Sequence, residues 1–202
     1  MRFLLALCSV FFPLLAQASG VADLKAFIQQ SRALSAHFTQ HVVDQKGKKT
    51  ESSTGTLHIQ RPGKFYWHYT SPSSIEIIGD GKKVWIYDPE LKQVTVKNMH
   101  NALESSPAAL LAGDDNFEKN YHITALPDIS NIVWLQATPK LKDSYFQQIR
   151  IGLQNQVIHT IILVDQLGQT TTIIFDKVVL NPRAQSNIFT FVPPKDVDLI
   201  SE

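Results

Sequence analysis

Among its 202 residues the chain has a single cysteine, Cys8. That excludes an internal disulfide framework and any multi-thiolate metal site. Neither G-x-S-x-G nor H-E-x-x-H occurs, so the two commonest sequence marks of a hydrolase are missing. An excess of one charge is missing too. With 19 Lys+Arg against 18 Asp+Glu, the net charge of +1 makes no electrostatic case for nucleic acid. No apolar run reaches the roughly 20 residues that a membrane-spanning helix needs. There is no linker, low-complexity stretch or internal repeat.

What is present begins with a leader. Met1-Arg2 supplies one positive charge, Phe3 to Leu15 is nearly all apolar, and Ala16-Gln17-Ala18 is a small-x-small site. That order is a secretory signal peptide, with cleavage expected after Ala18 and, as second choice, after Gly20. An uncleaved anchor is disfavoured by the short apolar run. Cys8 leaves with residues 1–18, and Leu7 stands before it where a lipidation site wants a small residue. Residues 19–202 keep 18 basic and 18 acidic side chains and are expected to form one domain.

The periodicity then reads as one short helix followed by many strands. Val21, Leu24, Phe27, Ile28 and Leu34 recur at helical spacing, which predicts an amphipathic helix over 19–31. Period-two stretches follow near 36–42, 55–61, 64–70, 75–78, 84–87 and 94–96. After a helix around 101–113 they resume at 121–124, 132–138, 145–153, 157–164 and 170–180. Ser106 suits the cap of that second helix, Pro107 its first turn and Gly113 its end. Asp80-Gly81 signals a hairpin, because both turn positions of such a pair take positive φ. Phe189-Thr190-Phe191 reads as the closing strand before Pro193-Pro194. Short strands joined by tight turns imply an antiparallel meander in one curved sheet.

Most candidate chemistry has a plainer reading. Gly79-Asp80-Gly81 has Val84 where a nucleotide loop wants its third glycine, so it is a turn. His37 and His41 would face one metal on a helix, but their segment reads as a strand. His58, His68, His100, His122 and His159 are scattered. Asp114-Asp115 suits a solvated turn, and Lys46, Lys48 and Lys49 a charged hairpin tip with partner docking as the minor role. No metal or cofactor is expected. The informative feature is apolar surface: Phe65, Trp67 and Tyr69 share one strand face, with Leu57 and Ile59 on the strand before. Pattern alone favours an ordinary core over a ligand cavity, and a surface role for Arg61 beside it.

The stretch Arg61-Pro62-Gly63-Lys64-Phe65-Tyr66-Trp67 resembles the R-P-x-x-F-x-W segment of the outer-membrane lipoprotein carrier family, LolA. Phe38-Thr39-Gln40 and Gly55-Thr56-Leu57 match upstream. Pro72, Asp80-Gly81-Lys82, Trp85, Tyr87-Asp88 and Phe189-Thr190-Phe191-Val192-Pro193-Pro194 match in order downstream. The resemblance runs from about Asp23 to Pro194. It implies a mainly β fold, a strongly curved, unclosed, barrel-like antiparallel sheet with short helices as a lid over an apolar cavity. It implies a periplasmic carrier in a Gram-negative bacterium, serving outer-membrane biogenesis. Its partners would be acylated lipoproteins, an inner-membrane ABC release complex and an outer-membrane receptor, and the carrier would be a monomer. In the family, the arginine matching Arg61 latches the lid and the phenylalanine matching Phe65 lines the cavity. The expected cavity is therefore Leu57, Ile59, Phe65, Trp67 and Tyr69, with Pro107, Leu110 and Leu111 in the lid. Pro107 to Ala112 departs from the family by carrying alanines where bulkier side chains are common. Rival readings are a receptor, which would need a lipidated cysteine where Ser19 stands; a sensory or regulatory module of this fold, which would need a further domain or span; an enzyme; and a closed β-protein without ligand.

Overall fold

A computed structural model describes residues 17–99, 102, 106–113, 117–141, 144–183 and 186–201. Most of the expected signal peptide lies outside these residues, as do His100, Asp114 and Asp115. A helix α1 (Gln17–Gln30) leads into six strands: β1 (Ala33–Val43), β2 (Lys49–Gln60), β3 (Lys64–Ser71), β4 (Ile75–Asp80), β5 (Lys83–Asp88) and β6 (Gln93–Asn98). Two short helices follow, α2 (Pro107–Ala112) and α3 (Phe117–Asn120). The chain continues through β7 (Tyr121–Ala125), β8 (Val133–Pro139), β9 (Phe146–Gln154), β10 (Val157–Asp165) and β11 (Thr170–Leu180), and ends with β12 (Asp198–Ser201). The expected helix start at Ser106-Pro107 and stop at Gly113 both hold.

All the strands form one open sheet of twelve, in the order β12-β6-β5-β4-β3-β2-β1-β11-β10-β9-β8-β7. It consists of two meanders, β1–β6 and β7–β11, joined where β1 pairs with β11. The expected antiparallel meander holds except at one edge, where β12 pairs with β6 in parallel. The inner face carries the core. On β1 it presents Leu34, Ala36, Phe38, Gln40 and Val42, all buried at period two. Helix α1 packs against β7 and β8, and α2 against β3 and β2. Leu24, Phe27, Ala108 and Ala112 of the helices join the same buried cluster as the strand side chains.

Two sequence expectations are corrected. Phe189-Thr190-Phe191 is not a strand. Ser186–Phe189 forms a 3-10 turn, and residues 190–197 after it run without a ladder partner among the described residues. Phe191 lies against Trp85 and Tyr87, with ring centroids 5.8 and 5.6 Å apart, so these aromatics are held by packing on the sheet's outer face. The β4–β5 hairpin also turns one residue later than Asp80-Gly81 suggests. Asp80 ends β4, and Gly81 alone has positive φ, at 96°, at the first turn position, as in a II′ turn. Asp80 Oδ1 accepts from the backbone N–H groups of Lys82 and Lys83, each at 2.8 Å, and Oδ2 from Trp85 Nε1 at 3.1 Å.

Candidate functional site

Strands β2 and β3 place the aromatic stripe. Their register sets Leu57 opposite Trp67 and Ile59 opposite Phe65, so all four side chains point inward together. Their exposures are 0, 1, 2 and 0 %, and Tyr69 beside them is half-buried. Two glycines make room for this packing. A Cβ on Gly79 would stand 2.4 Å from the ring of Phe65, its cross-strand partner. One on Gly55 would stand 2.7 Å from the ring of Phe38, also its partner. Phe38 in turn meets Trp67 at 4.3 Å, and Trp67 meets Phe175 of β11 edge-on at 6.3 Å. The aromatic layer thus crosses the β1–β11 seam and ties both meanders to the stripe.

The turn after β2 holds both helices. Arg61 Nη1 donates to the Ser31 backbone oxygen and, at 2.9 Å, to Ser31 Oγ, at the C-terminal end of α1. Its guanidinium lies over the Phe27 ring at 5.6 Å. Two residues on, Gly63 N–H donates to the Ala112 carbonyl at 2.7 Å, the last carbonyl of α2. Helix C-termini leave such carbonyls without intrahelical donors, and this turn supplies them. Gly63 takes φ of 72°, which suits glycine. Of the expected lid residues, Pro107 and Leu111 are half-buried and Leu111 packs on the core; the side chain of Leu110 lies outside the described residues. Among the described side chains of α2, Ala108 and Ala112 are fully buried.

One end of the inner face is polar. The Tyr69 hydroxyl donates to Gln40 Oε1 at 3.1 Å, and Ser53 Oγ donates to Glu51 Oε1 at 2.7 Å. Burial pushes the Tyr69 phenol up to about 12, and the Glu51 charge adds to this; Gln40 and the neighbouring Trp67 N–H oppose it weakly. Two grooves open elsewhere. One of about 240 Å³ lies where Pro182, Arg183, Ile188 and Phe189 cross β1 and β2. Another of about 190 Å³ lies beside α1 and β7, where Lys25 and Glu118 pair at 3.0 Å. Neither is lined by Phe65, Trp67 or Tyr69.

Sequence reasoning places the stripe and Arg61 together. It misses Phe38, Phe175, Gln40 and Ser31, which join them from other strands and from α1. The glycines on inward positions of β2 and β4 were the available signal, because a strand glycine marks a close approach.

The residues of this site lie within a stretch that known proteins share. A family model described as Outer membrane lipoprotein carrier protein LolA matches residues 29–192. The outer-membrane lipoprotein carrier protein of Chromobacterium violaceum is 47% identical over 92% of this chain and 89% of its own length. That of Dechloromonas aromatica is 41% identical over 100% of this chain and 97% of its own. Among solved structures, a LolA superfamily protein from Nitrosomonas europaea superposes with a TM-score of 0.53 at 13% identity, covering 86% of this chain and 97% of that one. An uncharacterized conserved protein from Thermus thermophilus gives 0.56 at 10% identity, over 92% and 98%. These two share the fold. The full-length sequence matches and the family model establish more: the chain belongs to the LolA family of outer-membrane lipoprotein carrier proteins.

Proposed function

We propose that this chain is a periplasmic carrier that shelters the acyl chains of lipoproteins. It takes them from an inner-membrane ABC release complex and hands them to an outer-membrane receptor, as a monomer and without catalysing a reaction. Residues 1–18 are its leader, removed on export. Phe65, Trp67, Tyr69, Leu57 and Ile59 form the acyl-binding wall. Pro107, Leu110 and Leu111 belong to the lid, and Arg61 to its latch.

One observation carries this reading. The aromatic stripe shares one buried cluster with two helices that a single turn ties down, through Arg61 to Ser31 and Gly63 to Ala112. An apolar face covered by short helices, each anchored by a few hydrogen bonds, is one that a ligand can uncover. The chemistry of the cargo asks for that. Each acyl methylene left in water costs about 0.8 kcal/mol, so two or three chains cost tens of kcal/mol and free diffusion is excluded. An empty apolar cavity open to water is unfavourable as well. A lid that closes in the absence of cargo avoids that, and opening and filling become one coupled equilibrium.

The test uses vesicles carrying the release complex, ATP and a lipoprotein. The protein starting at Ser19 is expected to extract the acylated cargo and to fail with the same cargo lacking its acyl chains. Phe65→Glu, which puts a charge into the wall at a desolvation cost of several kcal/mol, is expected to fold yet not to cycle cargo normally. Equal extraction of both cargoes, or normal transfer by Phe65→Glu, would refute this assignment of the lipid site.

A further inference from the structure

The stripe contains a polar feature that a purely apolar wall has no use for. Trp67 is 1 % exposed, and its indole Nε1–H, although close enough to Tyr69 to act on that phenol, makes no hydrogen bond of regular geometry among the described residues. A buried donor without an acceptor is destabilising by the full desolvation of the group, and native proteins keep few of them. Phenylalanine at this position would keep the contacts to Phe38 and Phe175 without that cost.

The surroundings say what would satisfy it. Tyr69 follows on the same face of β3, with its ring centroid 6.1 Å from that of Trp67. Its hydroxyl spends its proton on Gln40 Oε1. Gln40 is 7 % exposed, and with its oxygen engaged, its amide nitrogen remains as donor. The Gln40 amide and the Tyr69 hydroxyl thus lie next to Trp67 on the same inner face. A buried indole N–H and an amide, both uncharged donors, select a neutral acceptor rather than an anion. In a bound acyl lipid the group of that kind nearest the chains is the ester or amide carbonyl.

We infer that Trp67 Nε1–H and the Gln40 amide form a carbonyl subsite that binds the ester or amide oxygen of an acyl chain entering the stripe. This rests on the acyl-carrier reading above and deepens it. The subsite fixes how far a chain runs in: its carbonyl stops at Gln40 and Tyr69, and its methylenes lie against Trp67, Phe65, Leu57 and Ile59. The carbonyl can belong to a lipoprotein or to a membrane phospholipid.

The experiment measures binding of three probes to the protein starting at Ser19. They are a short peptide with an S-dipalmitoylglyceryl cysteine, its dihexadecyl ether counterpart without ester carbonyls, and dipalmitoyl phosphatidylglycerol. Wild type is expected to bind the ester peptide about tenfold tighter than the ether, the worth of one net hydrogen bond. Trp67→Phe should abolish that preference, so that it binds ester and ether peptides equally, whatever the change in their common affinity. With ¹⁵N-labelled tryptophan, the Trp67 indole signal should move downfield on adding ester and not on adding ether. Trp134 serves as internal reference, and Trp85 is already bonded to Asp80. This readout needs no folded variant. A tighter complex with the peptide than with the phospholipid assigns the carbonyl to lipoprotein, and the reverse order assigns it to membrane lipid; both support the subsite. Equal ester and ether affinity in wild type, or an ester preference kept in Trp67→Phe, overturns it while leaving the carrier intact. Failure to bind either peptide overturns the carrier reading itself.

Discussion

Arg61 is the residue through which one end of the helical cover is held. Its guanidinium bonds Ser31 at the end of α1 and stacks on Phe27, one of the buried helix side chains. Hydrogen bonds from a charged donor are worth about 1.5–3 kcal/mol when partly buried. Arg61→Leu is therefore expected to shift the empty protein toward a form with exposed apolar surface, read as stronger binding of a hydrophobic dye. Cargo capture should survive, because the wall is untouched. Release to the receptor should slow, because the free energy regained on closing is lost. Arg61→Lys should restore transfer only in part, since one ammonium lacks the guanidinium's fork of donors. Identical transfer rates for the three proteins would rule out the latch. At this scale the stripe is legible in the sequence, since Leu57, Ile59, Phe65 and Trp67 alternate with polar residues and are all buried. The spaces they fill are not legible. Gly55 and Gly79 carry no hydropathy of their own, and only the register sets them under Phe38 and Phe65.

The element that makes uncovering feasible is α2, and its alanines decide how. Ala108 and Ala112 are buried, at 2 and 0 %. Small side chains at these two positions let the helix sit close on β2 and β3 and bury little apolar area of their own, which lowers the cost of lifting it. Ala112→Leu is expected to overpack this contact by about 1–3 kcal/mol. Thermal denaturation should show a lower Tm, and dye binding should rise as in Arg61→Leu; an unchanged melt with unchanged dye binding would mean that α2 does not cover the stripe. The bounds of α2 are readable because Pro107 and Gly113 punctuate it. Phe189 to Phe191 mislead because alternating aromatics signal a half-buried face whether or not a ladder exists, and here Trp85 and Tyr87 provide the face. Strand β12 escapes notice because all four of its residues are exposed, which removes the alternation that marks a strand.

For the whole molecule, the polar end of the sheet interior predicts behaviour in alkali. Burial raises Tyr69, with Glu51 adding to it, and burial raises Tyr66, with Glu76 adding to it, both to about 12 from 10.0. Below pH 10 both the folded and unfolded chains keep these phenols protonated. Between 10 and about 12 only the unfolded chain releases the protons, so stability should fall as pH rises through that window. Denaturant midpoints measured across it should decline, and less steeply in Tyr69→Phe; the same slope in both proteins would show that Tyr69 ionises freely. The β1–β11 pairing, which makes two meanders into one sheet, also has a meaning in time. Strand β1 meets β2 across the 44–48 turn, but Leu34 cannot meet Leu180 until nearly the entire chain exists. A chain emerging N-terminus first can complete β1–β6 while β1 still lacks its second neighbour. Closing so long a loop is slow, and an unpaired strand bearing Ala36, Phe38 and Val42 is a template for wrong partners. A strand in the middle of the finished sheet is, until residues 170–180 emerge, an open edge.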